Sequence, residues 1–344
     1  MAYTLLGAFF RKESITTSLS FEPRSERRKP MRAVVIRRFG GPEVLEITDV
    51  PAVPQPAHGQ VRVRVEAAAV NPVDVATRAG RLAEQGLMVP NGQIGIGWDL
   101  AGVIDAVGPA VDRYEIGDPV VGMRNLLSAP IGAQAELVVL DTDAVAPAPS
   151  SASREEASTL PLNGLTALQA LDLLGLQAGQ WLLVTGAAGA LGGFALQLAA
   201  LRGLRTIAIA APDDEPLVQR LGAHEFVPRT ERLGTAVRRV RPGGVDGALD
   251  AALVGVPALD AVRDGGSFVA VSAGAAPVPL RGTQVHNVWI RTDAPALAEL
   301  AALVDAGRLT LRVASTHPLG AVAAAHERLE VGGLRGRIVL KPAE

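Results

Sequence analysis

The segment that most constrains the fold of this chain is VTGAAGALGG, residues 184–193. It follows the apolar run WLLV and precedes FALQLAAL, whose apolar residues have helical spacing. Gly186, Gly189 and Gly192 stand three residues apart within it. Between a strand and a helix, glycines at this spacing allow a tight turn, a close approach of the backbone to a ligand, and close packing of the helix on the strand. The segment therefore predicts a strand, a phosphate-binding loop and the start of a helix.

The chemistry expected at this loop is the binding of a dinucleotide. The first turn of the helix offers N–H groups without intrahelical acceptors, together with the positive end of the helix dipole. Glycine-rich turns also serve packing alone, but this loop heads a strand–helix series, which favours the dinucleotide interpretation. Gly193 lies outside the triplet, and alanine is expected to be tolerated there. The predicted cofactor contacts in the loop are Gly186, Ala188, Gly189, Ala190, Leu191 and Gly192.

Strands and helices alternate after the loop. The runs RTIAIAA, EFVPR, VDGALDAAL and SFVAVSAG have the composition of strands, and DEPLVQRLG, LGTAVRRV and PALDAVRDGG between them have that of helices. This alternation predicts a doubly wound parallel sheet of the Rossmann type, in an α/β protein. Ser272 and Gly274, at the end of the last of these strands, are further predicted cofactor contacts.

The first half of the chain has a different pattern. Between residues 31 and 150, short alternating runs such as QVRVRVEAAAV and DLAGVIDAVG are separated by Gly and Pro, which predicts a partly open β-barrel. The run SASREEASTLPLNGLTALQALDLLG then predicts a helix that Ser153 caps. Residues 1–30 predict a disordered tail without a secretory signal. Residues 290–344 mix helices and strands, which either close the sheet or return to the first domain.

Composition limits the partners of the protein. The net charge of the 344 residues is −2 with interspersed signs, which argues against nucleic acid as a partner. Apolar runs are too short for a membrane span. The absence of cysteine excludes disulfides, thiolate nucleophiles and zinc sites built on sulfur, and it fits a cytoplasmic location.

The choice between NADPH and NADH depends on the end of the second strand of the sheet. An NAD site usually has Asp or Glu there to bind the ribose hydroxyls, whereas this chain has Ala210 and Ala211. The acidic residues 213–215 follow, and the start of a helix explains them. Arg229, after the third strand, is placed to reach a 2′-phosphate. NADPH is therefore favoured over NADH.

These motifs, in this order, resemble those of the medium-chain dehydrogenase/reductases, specifically the zinc-independent, quinone oxidoreductase-like branch. The resemblance covers residues 31–342 and implies a GroES-like catalytic domain at 31–150, a Rossmann domain at 151–289 and a C-terminal return at 290–344. It also implies hydride transfer from NADPH to a small-molecule substrate, and a homodimer. The matching segments are MRAVVIRRFGGPEVLEI, AAAVNPVDVATRAG, GWDLAGVIDAVGPAVDRYEIGDPVVG, LPLNGLTALQAL, VTGAAGALGGFALQLA, GRLTLRVASTHPL and AHERLEVGGLRGRIVL.

The resemblance also shows what the chain lacks. Zinc-dependent relatives carry Gly-His-Glu where this chain has Gly97, Trp98 and Asp99, and a cysteine where it has Asn71. Catalytic zinc needs about three protein ligands of N, S or O type, so this set cannot hold it. Without a Lewis acid, the expected reaction is the reduction of an electron-poor acceptor, a quinone or an α,β-unsaturated carbonyl compound. Two alternatives remain open: a tailoring enoyl reductase of a biosynthetic pathway, and a non-catalytic NADPH-binding protein.

The resemblance assigns roles to three polar residues. It implies that Asn71, in Asn-Pro-x-Asp, lies near the nicotinamide and the substrate carbonyl, and that Asp74 is a second catalytic residue. The alternative is an Asn-Pro turn in which Asp74 caps the next helix. It also implies a cofactor contact for Thr166, whose alternative is a hydrogen bond to its own helix.

A pocket without a phenol is expected beside these residues. Ala76 stands where many relatives have tyrosine, so a phenolic proton donor is excluded at that position. The smaller side chain leaves a roomier, more apolar pocket, with Trp98, Leu126 and Leu127 as candidate lining.

We expect the purified protein to contain no stoichiometric zinc, because the cysteine and histidine ligands are replaced by Asn71 and Trp98. Elemental analysis after gel filtration would measure this. One tightly bound zinc per chain would contradict the interpretation of the site.

Overall fold

The computed structural model describes residues 30–51, 53–89 and 92–342. The tail predicted at residues 1–30 lies outside these ranges except for Pro30. The strands are β1 Met31–Ile36, β2 Glu46–Val50, β3 Gln60–Val70, β4 Ile94–Gly95, β5 Asp99–Val107, β6 Pro119–Met123, β7 Leu137–Asp141, β8 Val145–Pro147, β9 Trp181–Thr185, β10 Arg205–Ala210, β11 Glu225–Pro228, β12 Val245–Asp250, β13 Val262–Ala270, β14 Gln284–Asn287, β15 Val313–Pro318 and β16 Arg337–Lys341. The helices are α1 Pro72–Arg78, α2 Arg81–Glu84, α3 Arg154–Ala157, α4 Pro161–Leu174, α5 Ala190–Leu201, α6 Glu215–Arg220, α7 Leu233–Val240, α8 Val256–Leu259, α9 Ala294–Asp305 and α10 Val322–Val331.

The first half of the chain forms the expected β-rich domain. Its main sheet has the strand order β15-β16-β3-β5-β6-β8, with β7 also paired to β3, and β2-β1-β4 form a smaller sheet. Along β3, Val61, Val63 and Val65 are fully buried while the residues between them are more accessible. This period of two turns one face of the strand into the core of the barrel.

The second domain is a parallel sheet with the strand order β11-β10-β9-β12-β13-β14. Every neighbouring pair in it is parallel. Strand β9 stands at the centre, and its residues 182–185 are fully buried because helices cover both faces of the sheet. The predicted doubly wound Rossmann sheet is confirmed.

The C-terminal segment returns to the first domain, which was one of the two possibilities left open by the sequence. Strand β16 pairs antiparallel with β3, where Ile338 lies opposite Val70, and β15 pairs parallel with β16. The last strands therefore complete the barrel after the chain has built the nucleotide domain.

One predicted helix is two helices in the structure. The run that begins at Ser153 forms α3 and then, from Pro161, α4. Proline suits the first turn of a helix and cannot continue one, which explains the break. The predicted cap is confirmed: Glu156 donates its backbone N–H to Ser153 Oγ at 3.2 Å, and Ser153 donates its N–H to Glu156 Oε2 at 2.9 Å.

The prediction of a helix over PALDAVRDGG is wrong for most of that segment. Only α8, Val256–Leu259, is helical, and Val262 already begins β13. Val262 lies opposite Val245 of β12, and both side chains are fully buried. Pairing with β12 therefore overrides the local helical pattern, and Gly265, at φ +65°, takes a conformation that a helix does not contain.

The helices are short compared with the thickness of a bilayer. The longest of those described, α4, has 14 residues, whereas a spanning helix needs about 20 apolar ones. In residues 30–51, 53–89 and 92–342, no helix is long and apolar enough to cross a membrane.

Phe268→Ala should destabilise the protein strongly, because this side chain is fully buried in the nucleotide domain. Truncation of a buried phenylalanine costs about 3–5 kcal/mol. Thermal or urea unfolding measures the effect, with Val278→Ala, at a position 76% exposed, as the control. Equal stability losses for the two variants would contradict the packing described for β13.

Candidate active site

A cleft of about 480 Å3 lies between the two domains. It is lined by residues from α1, α4, the loop before α5, and the ends of β12 and β13. Arg337 is its one charged lining residue in the part of the chain that the structure describes. The lining residues are Pro72, Val73, Ala76, Leu82, Leu87, Trp98, Asn125, Leu127, Leu162, Asn163, Thr166, Gly186, Gly189, Ala190, Leu191, Gly192, Ala251, Leu253, Val271, Ser272, Ala273, Val288, Trp289, Ile290 and Arg337.

A second cleft, of about 550 Å3, lies on the side of the barrel. It shares Asn125 with the first cleft and is lined chiefly by β7 and the residues around it. It contains none of the predicted catalytic or cofactor-binding residues and no glycine-rich loop, although Leu126, predicted to line the substrate pocket, lies here. The interdomain cleft is therefore the candidate active site.

The three glycines of the loop differ in how strictly the backbone requires glycine at their positions. Gly186 has φ +59°, which disfavours a side chain. Gly189 is the N-cap of α5, with φ −70° and ψ 173°, where any residue is allowed. A Cβ at Gly192 would lie 2.3 Å from the carbonyl oxygen of Gly186, so only glycine permits this packing. The positions of Gly186 and Gly192 therefore require glycine. At Gly189 the backbone dihedrals suit any residue, but a Cβ would lie 3.1 Å from the carbonyl oxygen of Gly186, which must shift by a few tenths of an ångström.

Seven of the predicted cofactor contacts come together in the cleft. Thr166 has no hydrogen-bond partner for its hydroxyl within the described ranges, so its alternative, a bond to its own helix, is not observed. The hydroxyl is available to a ligand. The seven predicted cofactor contacts that line the cleft are Thr166, Gly186, Gly189, Ala190, Leu191, Gly192 and Ser272.

The other predicted residues do not line the cleft. Arg229 donates its backbone N–H to the carbonyl oxygen of Ala210 at 2.8 Å, so it lies beside the end of β10 as expected. Its exposed side chain has no ion pair among the described residues. Asp214, the buried acid nearest this strand end, is held by Arg335 through two bonds of 2.7 and 2.8 Å. The predicted residues outside the cleft are Asn71, Asp74, Ala188, Ala210, Ala211, Arg229 and Gly274.

Asn71 belongs to a buried network beneath the cleft. Its Nδ2 donates to Asp99 Oδ2 at 2.8 Å, and its Oδ1 accepts from Asn163 Nδ2 at 3.1 Å. Asp99 Oδ1 accepts the backbone N–H of Leu162 at 2.6 Å. Arg337 donates from Nε and Nη2 to Asn163 Oδ1, at 3.2 and 2.5 Å. The network therefore links the barrel, the start of α4 and the C-terminal strand.

Asp74 contributes to the cap of α1 as its third helical residue, while Asn71 is the N-cap itself. Its Oδ2 accepts the backbone N–H of Asn71 at 2.8 Å, and its Oδ1 is buried without a partner in the described part of the chain. Burial raises the pKa of Asp74 to about 8 and that of Asp99 to about 7. Burial also lowers the pKa of Arg337 to about 10, against the attraction of these two carboxylates. One guanidinium thus faces two acids that resist ionisation.

Three residues of this network were missed as site residues by the sequence analysis: Asp99, Asn163 and Arg337. Asn163 stands three residues before Thr166, on the same face of α4, and this spacing could have identified it. Arg337 is a single cation in the apolar strand GRIVL. Its position in the cleft depends on the pairing of β16 with β3, which no local pattern predicts.

Alanine at Gly193, which the sequence analysis expected to be tolerated, would displace the guanidinium of Arg312. A Cβ at Gly193 would lie 1.9 Å from Nη2 of Arg312 and 2.8 Å from its Cζ. This guanidinium donates to the carbonyl oxygens of Ala188 and Gly189 at 2.8 and 2.6 Å. Gly193 is therefore a poor control for substitutions in the loop.

The pocket beside Trp98 has the predicted apolar character. Ala76, Trp98 and Leu127 line the cleft, whereas Leu126 is exposed outside it. The hydroxyl of Tyr114 donates to the carbonyl oxygen of Val145 at 2.7 Å, away from the cleft. Within the described ranges, no group of three or more His, Cys, Asp or Glu residues could hold a metal ion.

Comparisons with known proteins agree with this geometry. The family model of the alcohol dehydrogenase GroES-like domain matches residues 57–150, and that of the zinc-binding dehydrogenases matches residues 221–340. The quinone oxidoreductase of Lama guanicoe is 30% identical over 329 residues, which are 90% of this chain and 97% of that protein. The 2-methylene-furan-3-one reductase of Solanum lycopersicum is 28% identical over 320 residues, 91% of this chain and 79% of that protein. The solved structure of an NAD-dependent alcohol dehydrogenase is 34% identical, with a TM-score of 0.79 over 90% of this chain and 99% of that one.

Asp74→Asn should flatten the pH dependence of stability between about pH 6.5 and 8.5. The pKa of folded Asp74, about 8, lies above its ordinary value of 3.8, so the folded state binds the extra proton and stability falls as pH rises through 8. Asp99, with a pKa of about 7, contributes in the same direction. The pKa of His326, lowered by burial to about 3, has the opposite sign but acts only below its ordinary value of 6.5.

The measurement is the melting temperature of the parent protein and of the variant at both ends of this range. Asp213→Asn, at an exposed position, is the control. A parent protein whose melting temperature does not fall between pH 6.5 and 8.5 would contradict the raised pKa values.

Proposed function

Because this chain belongs to the medium-chain dehydrogenase/reductase superfamily, in its quinone oxidoreductase-like branch, we propose that it uses NADPH to reduce a quinone or an α,β-unsaturated carbonyl compound. One observation carries the proposal: the interdomain cleft joins a phosphate-binding loop to an apolar wall of the barrel. Its described lining includes one arginine and no carboxylate. Such a cleft suits an anionic dinucleotide next to a neutral, apolar acceptor.

The residues that would hold the dinucleotide are those of the loop and the walls beside it. The N–H groups of Ala190, Leu191 and Gly192 form the first turn of α5 and have no intrahelical acceptor, so they are available to the diphosphate. Thr166 and Ser272 offer hydroxyl groups from the two walls of the cleft. When bound, the cofactor supplies the hydride. The chain's own part is to bind and orient it and to exclude water.

The preference for NADPH is argued from the end of β10. Ala210 and Ala211 bring no acid there, and Arg335 holds the carboxylate of Asp214. The backbone of Arg229 bonds this strand end, and its exposed side chain has no ion pair in the described residues. A 2′-phosphate would meet a cation there and no free buried carboxylate. An NAD-dependent protein is nonetheless among the similar solved structures, so both cofactors belong in the test.

The acceptor would bind on the side of the barrel. Ala76, Trp98 and Leu127 give that side its apolar surface. Asn125 also lines the cleft, and its side-chain amide makes no hydrogen bond within the described residues, so it can donate to a carbonyl oxygen of the acceptor. Charge that develops on that oxygen needs only such a donor when the acceptor is electron-poor.

We propose that Asn71 and Asp74 act through their neighbours. Both are buried, and neither lines the cleft. Asn71 holds Asn163, which lines the cleft, and Asp74 fixes the backbone of Asn71. We therefore expect Asn71 and Asp74 to influence the position of the cleft wall and, through it, the position of the cofactor.

The proposal predicts that NADPH, and less efficiently NADH, is oxidised in the presence of quinones or enones. Loss of nicotinamide absorbance with a panel of both acceptor classes measures it. Gly189→Asp should weaken NADPH binding about tenfold or more, about 1.4 kcal/mol, because a carboxylate would face the diphosphate. Its stability should be kept, since φ at Gly189 is −70° and Asp is a good N-cap.

Gly189→Asn is the matched control, because it adds the same bulk without the charge. We expect it to retain most of the affinity for NADPH. Tight NADPH binding without turnover of any acceptor would favour the non-catalytic alternative, and turnover only with carrier-bound enoyl substrates would favour the tailoring reductase. Equal affinities of the parent and Gly189→Asp would show that the loop has been assigned wrongly.

A further inference from the structure

Arg312 connects the C-terminal segment to the phosphate loop. It lies between α9 and β15, 119 residues or more after the loop in the sequence. Its Nη1 donates to the carbonyl oxygen of Ala188 at 2.8 Å, and its Nη2 donates to that of Gly189 at 2.6 Å. One guanidinium therefore binds two consecutive carbonyl groups of the loop.

The surrounding backbone leaves room for this guanidinium. At Gly193, a Cβ would overlap Nη2, at 1.9 Å. At Gly336, which has φ +136°, a Cβ would lie 2.4 Å from the carbonyl oxygen of Arg312. One glycine admits the side chain and the other admits its backbone, so the contact is a built feature of the packing.

The contact helps to fix the orientation of a peptide group at the start of α5, whose carbonyl oxygen, that of Gly189, also accepts the backbone N–H of Gly193 at 3.0 Å. In a trans peptide, C=O and N–H point in opposite directions. When the carbonyl group of Gly189 points at Arg312, the N–H of Ala190 points the other way, and Ala190 lines the cleft. Arg312 thereby orients one of the N–H groups that are available to a diphosphate.

The contact also places a positive charge behind the loop. Burial lowers the pKa of Arg312 to about 10, so the group is still protonated at neutral pH. A cation at the N-terminus of a helix opposes the helix dipole, whereas an anion there is favoured. The attraction of Asp214 and the two carbonyl oxygens holds the guanidinium there, and a diphosphate in front of the loop would add a further favourable charge interaction.

We propose that Arg312 is a positioning residue for the diphosphate of the cofactor, acting through the peptide groups of Ala188 and Gly189 without touching the ligand. The inference rests on the proposed function only in so far as a dinucleotide binds at the loop. It gives the C-terminal segment a part in cofactor binding that is separate from its part in the barrel.

A double-mutant cycle tests the proposal. The variants are Gly193→Ala, Arg312→Ala and the double variant, and the measurement is the affinity for NADPH and for ADP-ribose. Each single variant should bind about tenfold more weakly, the size expected for the loss of charge-assisted hydrogen bonds. Gly193→Ala should have less than about a twofold effect when Arg312 is already alanine, because the added methyl group then meets no guanidinium. If the fold-change in affinity of the double variant equals the product of the fold-changes of the two single variants, the proposal is overturned.

The same variants are compared with a ligand that lacks a diphosphate. Adenosine 2′-monophosphate should bind parent and Arg312→Ala equally, whereas a merely structural defect would weaken both ligands. If Arg312→Ala does not fold, Arg312→Lys, which keeps the charge but cannot bond both carbonyl groups, takes its place. It should weaken ADP-ribose selectively, and an unchanged affinity would overturn the proposal.

The outcomes separate this proposal from the reductase. ADP-ribose binding that depends on Arg312, without turnover of any acceptor, would support the positioning role and count against the reductase. A parent protein that binds neither NADPH, NADH nor ADP-ribose would overturn both.

Discussion

The hydrogen bond between Asn71 and Asp99 connects the parts of the molecule that form the cleft. Both side chains are fully buried, and each has a second partner on α4: Asp99 binds the N–H of Leu162, and Asn71 binds Asn163. Arg337, from the last strand, completes the network through Asn163. Because a buried polar group left without its partner costs about 1–3 kcal/mol, loss of any member destabilises the others. The relative position of barrel and nucleotide domain thus depends on a buried network of which Asn163 and Arg337 also line the cleft.

This network occupies the positions at which the family resemblance implies the zinc ligands of zinc-dependent members. Zinc-dependent relatives have a cysteine at the position of Asn71 and a glutamate at that of Asp99, and here the two side chains bind each other. Trp98, next to Asp99 in sequence, presents an apolar surface to the cleft. Reactivity then depends on what the cleft offers directly: uncommitted amide and hydroxyl groups, one guanidinium and an apolar wall.

Local patterns predicted the elements well where the contacts that shape them are local. The loop glycines, the cap at Ser153 and the helix Leu233–Val240 all follow from residues within one or two turns. The failures have distant causes. The start of β13 at Val262 depends on pairing with β12, and the intolerance of Gly193 depends on Arg312, far along the chain. For the same reason the loop residues of the site were predictable, while Arg337 was not: its place in the cleft is set by a strand pairing between residues near opposite ends of the described chain.

The pairing of β16 with β3 has a consequence for the order of assembly during synthesis. Residues 60–70 leave the ribosome long before residues 337–341, so one edge of β3 has no β16 beside it while the whole nucleotide domain is being made. That domain has its own parallel sheet and can fold in the interval, because its pairings lie between β9 and β14. Strand β16, Arg337 of the cleft and Arg312 beside the loop are then all synthesised within the last part of the chain. A nascent chain in which the Rossmann sheet forms during this interval still has an open barrel, whose unpaired strand edge is exposed to intermolecular association.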